Sequence, residues 1–129
     1  MARSALERYG GFPFLSRLVM AFYDKVLDSD ELAPYFEDVD MRRLIDHQTK
    51  FVAFLMGGPA SYTNDHLAHV HARLGINRAD FEVMVETMKS TLEEFDLAPA
   101  DVSGVLHELR ARAPWVISAA DSEGDSASA

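Results

Sequence analysis

The sequence predicts a single all-α domain, and three observations carry that reading. Apolar residues recur at helical spacing in successive segments. Glycine and proline punctuate the boundaries between those segments. No stretch shows the clear apolar–polar alternation of a half-buried strand.

Taken in order, Gly10-Gly11 ends a short first helix, and Pro13 suits the first turn of the next, over 13–28. Leu15, Val19, Phe22 and Val26 form its apolar stripe. A short piece follows around Glu31–Phe36. Asp40 then reads as the N-cap of a helix that runs to about Met56 and is ended by Gly57-Gly58-Pro59. Residues 60–63 read as loop, and Thr63 or Asn64 caps a short helix that Gly75 stops near Leu74. Asn77, with Asp80 three residues on, resembles a capping arrangement. It opens a long helix to about Phe95, striped by Phe81, Met84, Val85, Met88 and Leu92. The last helix starts near Pro99 and carries Val102, Val105, Leu106 and Leu109, with Pro114 expected to kink it or end it early. The domain is expected over 1–119, and the small, acidic residues 120–129 are expected to form a disordered tail.

A chain of 129 residues, 48% apolar and 26% charged, is long enough and apolar enough to bury a core. Its formal charge of −9 repels a phosphate backbone or an anionic membrane surface, so nucleic acid is not an expected partner. With no cysteine, disulfides, thiolate nucleophiles and cysteine metal sites are excluded; His, carboxylates and thioethers remain as metal ligands. Glu7 and Arg8 interrupt the N-terminus before any apolar run of signal-peptide length, and no segment approaches the ~20 apolar residues of a membrane span. The expected location is therefore the cytoplasm.

Polar residues on apolar helical faces carry the functional information, because burying a polar group without a partner is costly. Tyr23 shares a face with Val19, Phe22 and Val26; a core tyrosine bonded to a backbone carbonyl is its ordinary explanation. Between Leu44 and the trio Phe51, Val52 and Leu55, the gaps are filled by His47 and Gln48. These two either reach water near one end of the face or bind something. In His66-Leu67-Ala68-His69-Val70-His71, Leu67, Val70 and Leu74 define the inward face. Phase puts His71 on it and His66 and His69 elsewhere. Zinc held by His66 and His69 would lack a cysteine and an evident third ligand.

Tyr23, His47 with Gln48, and His71 thus place inward polar groups on three apolar helices, as a largely apolar cofactor pocket would. A neutral imidazole facing such a pocket is a common axial ligand of heme iron. The alternative is a helical interaction module whose inward histidines are structural.

Several ordered segments resemble the truncated hemoglobins, specifically their group I branch, across about residues 7–117. They are Arg8-Tyr9-Gly10-Gly11, Phe22-Tyr23-Asp24-Lys25-Val26-Leu27, Leu32-Ala33-Pro34-Tyr35-Phe36 and His47-Gln48, then Phe54-Leu55-Met56-Gly57-Gly58-Pro59, Tyr62-Thr63 and His69-Val70-His71. The resemblance implies a two-over-two helical sandwich around heme b. It makes His71 the proximal iron ligand and Phe36 the aromatic residue packed on the heme. Tyr23 and Gln48 become the distal donors to bound ligand, with Leu44 beside them. Phe51 faces the heme, and Tyr62 also contributes to cofactor binding. His47 stands where relatives resembling the cyanobacterial members carry a histidine that binds the iron opposite the proximal one, giving a hexacoordinate state. The competing role for His47 is a heme propionate.

Two departures stand out. The usual Tyr-Thr-Gly is Tyr62-Thr63-Asn64 here, and Asn tolerates a left-handed backbone better than most residues. No His lies near Trp115, where some relatives bond a heme vinyl group, and His107 is too early for that role, so the heme is expected to be noncovalent. The implied function is reversible binding of a diatomic ligand, O₂, NO or CO, by a monomer or weak dimer. Nitric oxide dioxygenation is the alternative. It would need a separate reductase, because no flavin or nicotinamide segment is present. A hexacoordinate electron-transfer or peroxide-handling globin is the third reading, and it depends on His47.

Overall fold

The computed structural model describes residues 5–57, 68, 71 and 74–117. Six α-helices lie among them: α1 (Ala5–Tyr9), α2 (Gly11–Leu27), α3 (Met41–Leu55), α4 (Arg78–Glu94), α5 (Pro99–Ala111) and α6 (Ala113–Val116). A 3-10 turn, Ala33–Phe36, sits between α2 and α3. Ala68 and His71 are helical, while the proposed caps Thr63 and Asn64 lie outside the described residues.

Helix α2 is the hub. Its stripe buries Leu15, Leu18, Val19, Phe22, Tyr23 and Val26, and it packs on both α3 and α4. Helix α4 packs in turn on α5, which also meets α3. The pairs α2–α3 and α4–α5 make a two-over-two sandwich. Val85 and Leu92 of α4 are fully buried in the shared core, and Phe81 is 2% exposed. Among the described residues, no helix is long and apolar enough to cross a membrane.

Local chemistry explains the boundaries. Helix α2 starts two residues before Pro13, because Gly10 adopts φ +112, which turns the chain sharply out of α1. Pro13 then falls within the first turn, where a missing N–H breaks no intrahelical bond. The Asp40 side chain accepts from Arg43 N (3.3 Å) to cap α3. Asn77 accepts from Asp80 N (2.7 Å) to cap α4. The reciprocal half of that capping box is missing, because the Asp80 carboxylate accepts instead from the Tyr35 hydroxyl (2.5 Å). Pro114 does end α5 early: α5 stops at Ala111 and Pro114 lies in the first turn of α6.

Helix α5 begins after Ala98, which has no side-chain oxygen to cap with. Tyr9 compensates from α1. Its hydroxyl accepts from Ala98 N (2.9 Å) and donates to Asp101 (2.5 Å), to which Arg8 adds an ion pair at 3.2 Å. The hydrogen bond from Tyr9, more than the partly exposed ion pair, holds the Asp101 carboxyl below the usual carboxylate range. One residue type sequence periodicity did not reveal is the buried threonine. Thr91 is fully buried on α4; its hydroxyl donates to Thr87 O (2.8 Å) and accepts from Lys25 Nζ (3.1 Å).

Replacing Asn77 by Ala should lower unfolding stability by about 1 kcal/mol, the usual value of a lost N-cap. Urea denaturation followed by circular dichroism checks this, and an unchanged midpoint would mean that the cap contributes nothing.

Candidate functional site

Tyr23 enters the core because the α2 stripe demands an inward residue there, and aromatic neighbours fix its ring. Phe22 meets it edge-on at 4.9 Å between centroids and Phe36 at 5.7 Å. The residue is only 7% exposed. No hydrogen bond joins its hydroxyl to another described residue, so the backbone-carbonyl partner expected of an ordinary core tyrosine is not found among them. Burial pushes the phenol far above the ordinary tyrosine range, so it remains an O–H donor at any physiological pH.

The α3 face beside it is apolar with one polar insertion. Leu44 and Phe51 are half-buried and pack against the core. Gln48 is also half-buried, whereas His47 is exposed. Successive residues on a helix lie about 100° apart, so two adjacent polar side chains cannot both point into one pocket equally. Phe36, from the 3-10 turn, is half-buried between Tyr23 and the outside. The structure thus gathers Tyr23 and Phe36 in direct contact and brings α3, with Leu44, Gln48 and Phe51, alongside α2.

His71 is half-buried and helical, and its carbonyl accepts from Leu74 N (3.1 Å). Gly75, at φ +66, then turns the chain out of that helix. Tyr62, His66 and His69 lie outside the described residues. Among the described residues, no three His, Asp or Glu side chains gather as a metal site. A cofactor that brings its own metal ligands needs only a single histidine. An imidazole, an apolar wall, a phenol donor and an amide are the residue types that a heme with a small polar ligand uses; the described contacts join Tyr23 to Phe22 and Phe36 and set α3 against α2, while His71 stands on a separate helix.

Arg112, Tyr35 and Asp80 support this region through contacts that the sequence did not reveal. Arg112 lies over the rings of Phe51 (6.0 Å) and Phe54 (5.5 Å), oriented by the Glu108 carboxylate at 2.8 Å and the Glu108 carbonyl at 2.9 Å. Its Nε is buried without a hydrogen-bond partner. Tyr35 and Asp80 form the bond described above, between positions 45 apart in the chain. Burial and the Asp80 carboxylate push the Tyr35 phenol up to about 12.

The family model for bacterial-like globins matches residues 4–117. A group 1 truncated hemoglobin of Mycolicibacterium paratuberculosis is 31% identical over 113 residues, covering 88% of this chain and 83% of that protein. The Fe(III) form of the truncated hemoglobin from Tetrahymena pyriformis superposes with a TM-score of 0.80 at 23% identity, covering 89% of this chain and 98% of that one. The 2/2 hemoglobin from Synechococcus sp., in a cyanomet state with covalently attached heme, gives 0.81 at 22% identity over the same shares.

The Tyr35 phenol sets a pH dependence. Between its ordinary value of 10 and the raised value of about 12, the folded chain keeps a proton that the unfolded chain has lost. The stabilisation is therefore full below pH 10 and declines as pH rises towards about 12. Urea midpoints measured across this window should fall less steeply in Tyr35→Phe than in the wild type; equal slopes would contradict the assignment.

Proposed function

Because the chain belongs to the bacterial-like globin family, we propose that it holds heme on His71 and reversibly binds a diatomic ligand, O₂, NO or CO, beneath Tyr23 and Gln48. Heme is the cofactor that this family membership carries, and when bound it supplies an iron centre able to take such a ligand. The observation that carries the reading is Tyr23: a largely buried, protonated phenol whose hydroxyl makes no hydrogen bond to another described residue.

Each residue then has a physical task. His71 would hold the iron of a bound heme through an imidazole nitrogen. Phe36 supplies an aromatic wall and, through its contact with Tyr23, fixes the direction of the phenol. Leu44 and Phe51 keep the pocket apolar, which excludes water and strengthens any hydrogen bond made inside it. Tyr62, outside the described residues, completes the cofactor contacts in this proposal. Tyr23 would donate to the partial negative charge of a bound polar ligand, and Gln48 would offer an amide N–H from the neighbouring helix. Together they would slow ligand escape by one to two orders of magnitude, given about 1–3 kcal/mol from the donors.

For His47, the exposed side chain supports pairing with a heme propionate at the pocket edge over binding the iron. Heme retention without a covalent bond is supported by His107, the only histidine of the last two helices, which is exposed on α5 and precedes Trp115 by two helical turns.

Absorption spectroscopy of the purified chain mixed with hemin, then reduced and exposed to CO, tests the proposal. The expected result is a heme Soret band that shifts with CO in the wild type, with His71→Ala losing the proximal coordination and recovering it on addition of imidazole. The ferric form should be high-spin at neutral pH and unaltered in His47→Ala. A chain that stays colourless would refute heme binding, and a low-spin ferric spectrum abolished by His47→Ala would place His47 on the iron.

A further inference from the structure

We propose that the hydrogen bond from Tyr35 to Asp80 is a latch that retains heme, joining the turn that carries Phe36 to the start of α4 just beyond His71; this rests on the heme reading above. The geometry behind it is specific. Tyr35 and Phe36 are neighbours in the 3-10 turn Ala33–Phe36, whose Pro34 limits its backbone freedom. Phe36 packs inward on Tyr23 at 5.7 Å, while Tyr35 reaches across to donate to Asp80 at 2.5 Å. Asp80 lies in the first turn of α4, bound through its amide to Asn77, and Asn77 is the sixth residue after His71. The bond therefore ties together the two chain segments that bear Phe36 and His71.

Nothing in helix geometry requires that bond. An Asp at this position of an Asn-capped helix is free to point back toward its own N-terminus, and the N-cap bond forms from the Asp80 amide whatever its side chain does. The carboxylate is instead committed to a phenol 45 residues earlier, from a turn that buries no residue fully. Tyr35 and Phe36 pack against the core but remain only partly buried, so the charge-assisted hydrogen bond adds a directional tie between the turn and α4 that this packing alone does not supply. Opening of that turn would separate the Phe36 wall from the segment that follows His71. A cofactor leaves through the open population, and its release rate scales with that population.

The latch acts by position and touches neither iron nor ligand in this account, so the test reads cofactor release. Hemin-loaded wild type, Tyr35→Phe, Asp80→Asn, Asp80→Ala and the Tyr35→Phe/Asp80→Ala double variant are mixed with excess apomyoglobin, and hemin transfer is followed by absorbance. Tyr35→Phe should release hemin about ten- to a hundredfold faster than wild type. Asp80→Asn, which keeps an acceptor oxygen, should lie between wild type and Asp80→Ala. The double variant should release no faster than the faster single variant, because both remove one interaction. Melting of the cofactor-free variants is recorded alongside. A Tyr35→Phe variant that melts lower but releases hemin at the wild-type rate would make the bond purely structural and overturn the latch. Single effects that multiply in the double variant would overturn it as well. A wild type that takes up no hemin would overturn the heme reading and the latch with it.

Discussion

The burial of one face of α2 is the constraint on which the rest depends. Leu15, Leu18, Val19, Phe22 and Val26 are each at most 4% exposed, and they join α3 on one side to α4 on the other. Burial of this size, at about 1.5–3 kcal/mol per large apolar side chain, dominates any single polar contact in the molecule. It also drags Tyr23 inward with its neighbours. The helix cannot bury Phe22 and Val26 without burying the phenol between them, so the fold and the ligand donor are set by the same packing. A largely buried phenol whose hydroxyl makes no hydrogen bond to another described residue leaves a donor available to a bound ligand.

Around that hub, polar contacts between distant segments do what short-range preferences leave undone. Tyr9 supplies α5 with the cap that Ala98 lacks, and Lys25 reaches Thr91 from α2 to α4. Tyr35 closes the turn before α3 onto α4. The exposed ion pairs, such as Arg110 with Glu82 at 3.2 Å, add little by comparison, since water and salt screen them. In a chain of net charge −9, two carboxylates, Asp80 and Asp101, accept from phenols, Asp101 sharing its charge with Arg8 as well.

Most of the helices were legible because their signals are local. The Asp40 and Asn77 caps, the Gly75 stop and the Pro114 break each depend on residues within one turn, and each is where sequence places it. The inward phase of Tyr23 was equally readable, since it follows from the spacing of Val19, Phe22 and Val26. The separation of His47 from Gln48 was not, because both fill the same gap in a stripe and only the packed helix reveals which one turns outward. Asp80 was read in a capping arrangement with Asn77, which its amide makes, while the partner of its carboxylate is 45 residues away. Arg112 over Phe51 and Phe54 is invisible for the same reason: a contact between α3 and the end of α5 has no sequence period. The α2 start was misplaced by two residues because the left-handed Gly10, not Pro13, sets the boundary.

The central claim is that the Tyr23 hydroxyl is directed at the bound ligand, and infrared spectroscopy reads that contact directly. Carbon monoxide added to the hemin-loaded, reduced chain reports hydrogen bonding to its oxygen through its own stretching frequency. The account predicts a lowered C–O stretch in the wild type that moves to higher frequency in Tyr23→Phe, a change that removes one oxygen and leaves the packing against Phe22 and Phe36 in place. The same frequency in both proteins would contradict it, and would leave the buried phenol without a function.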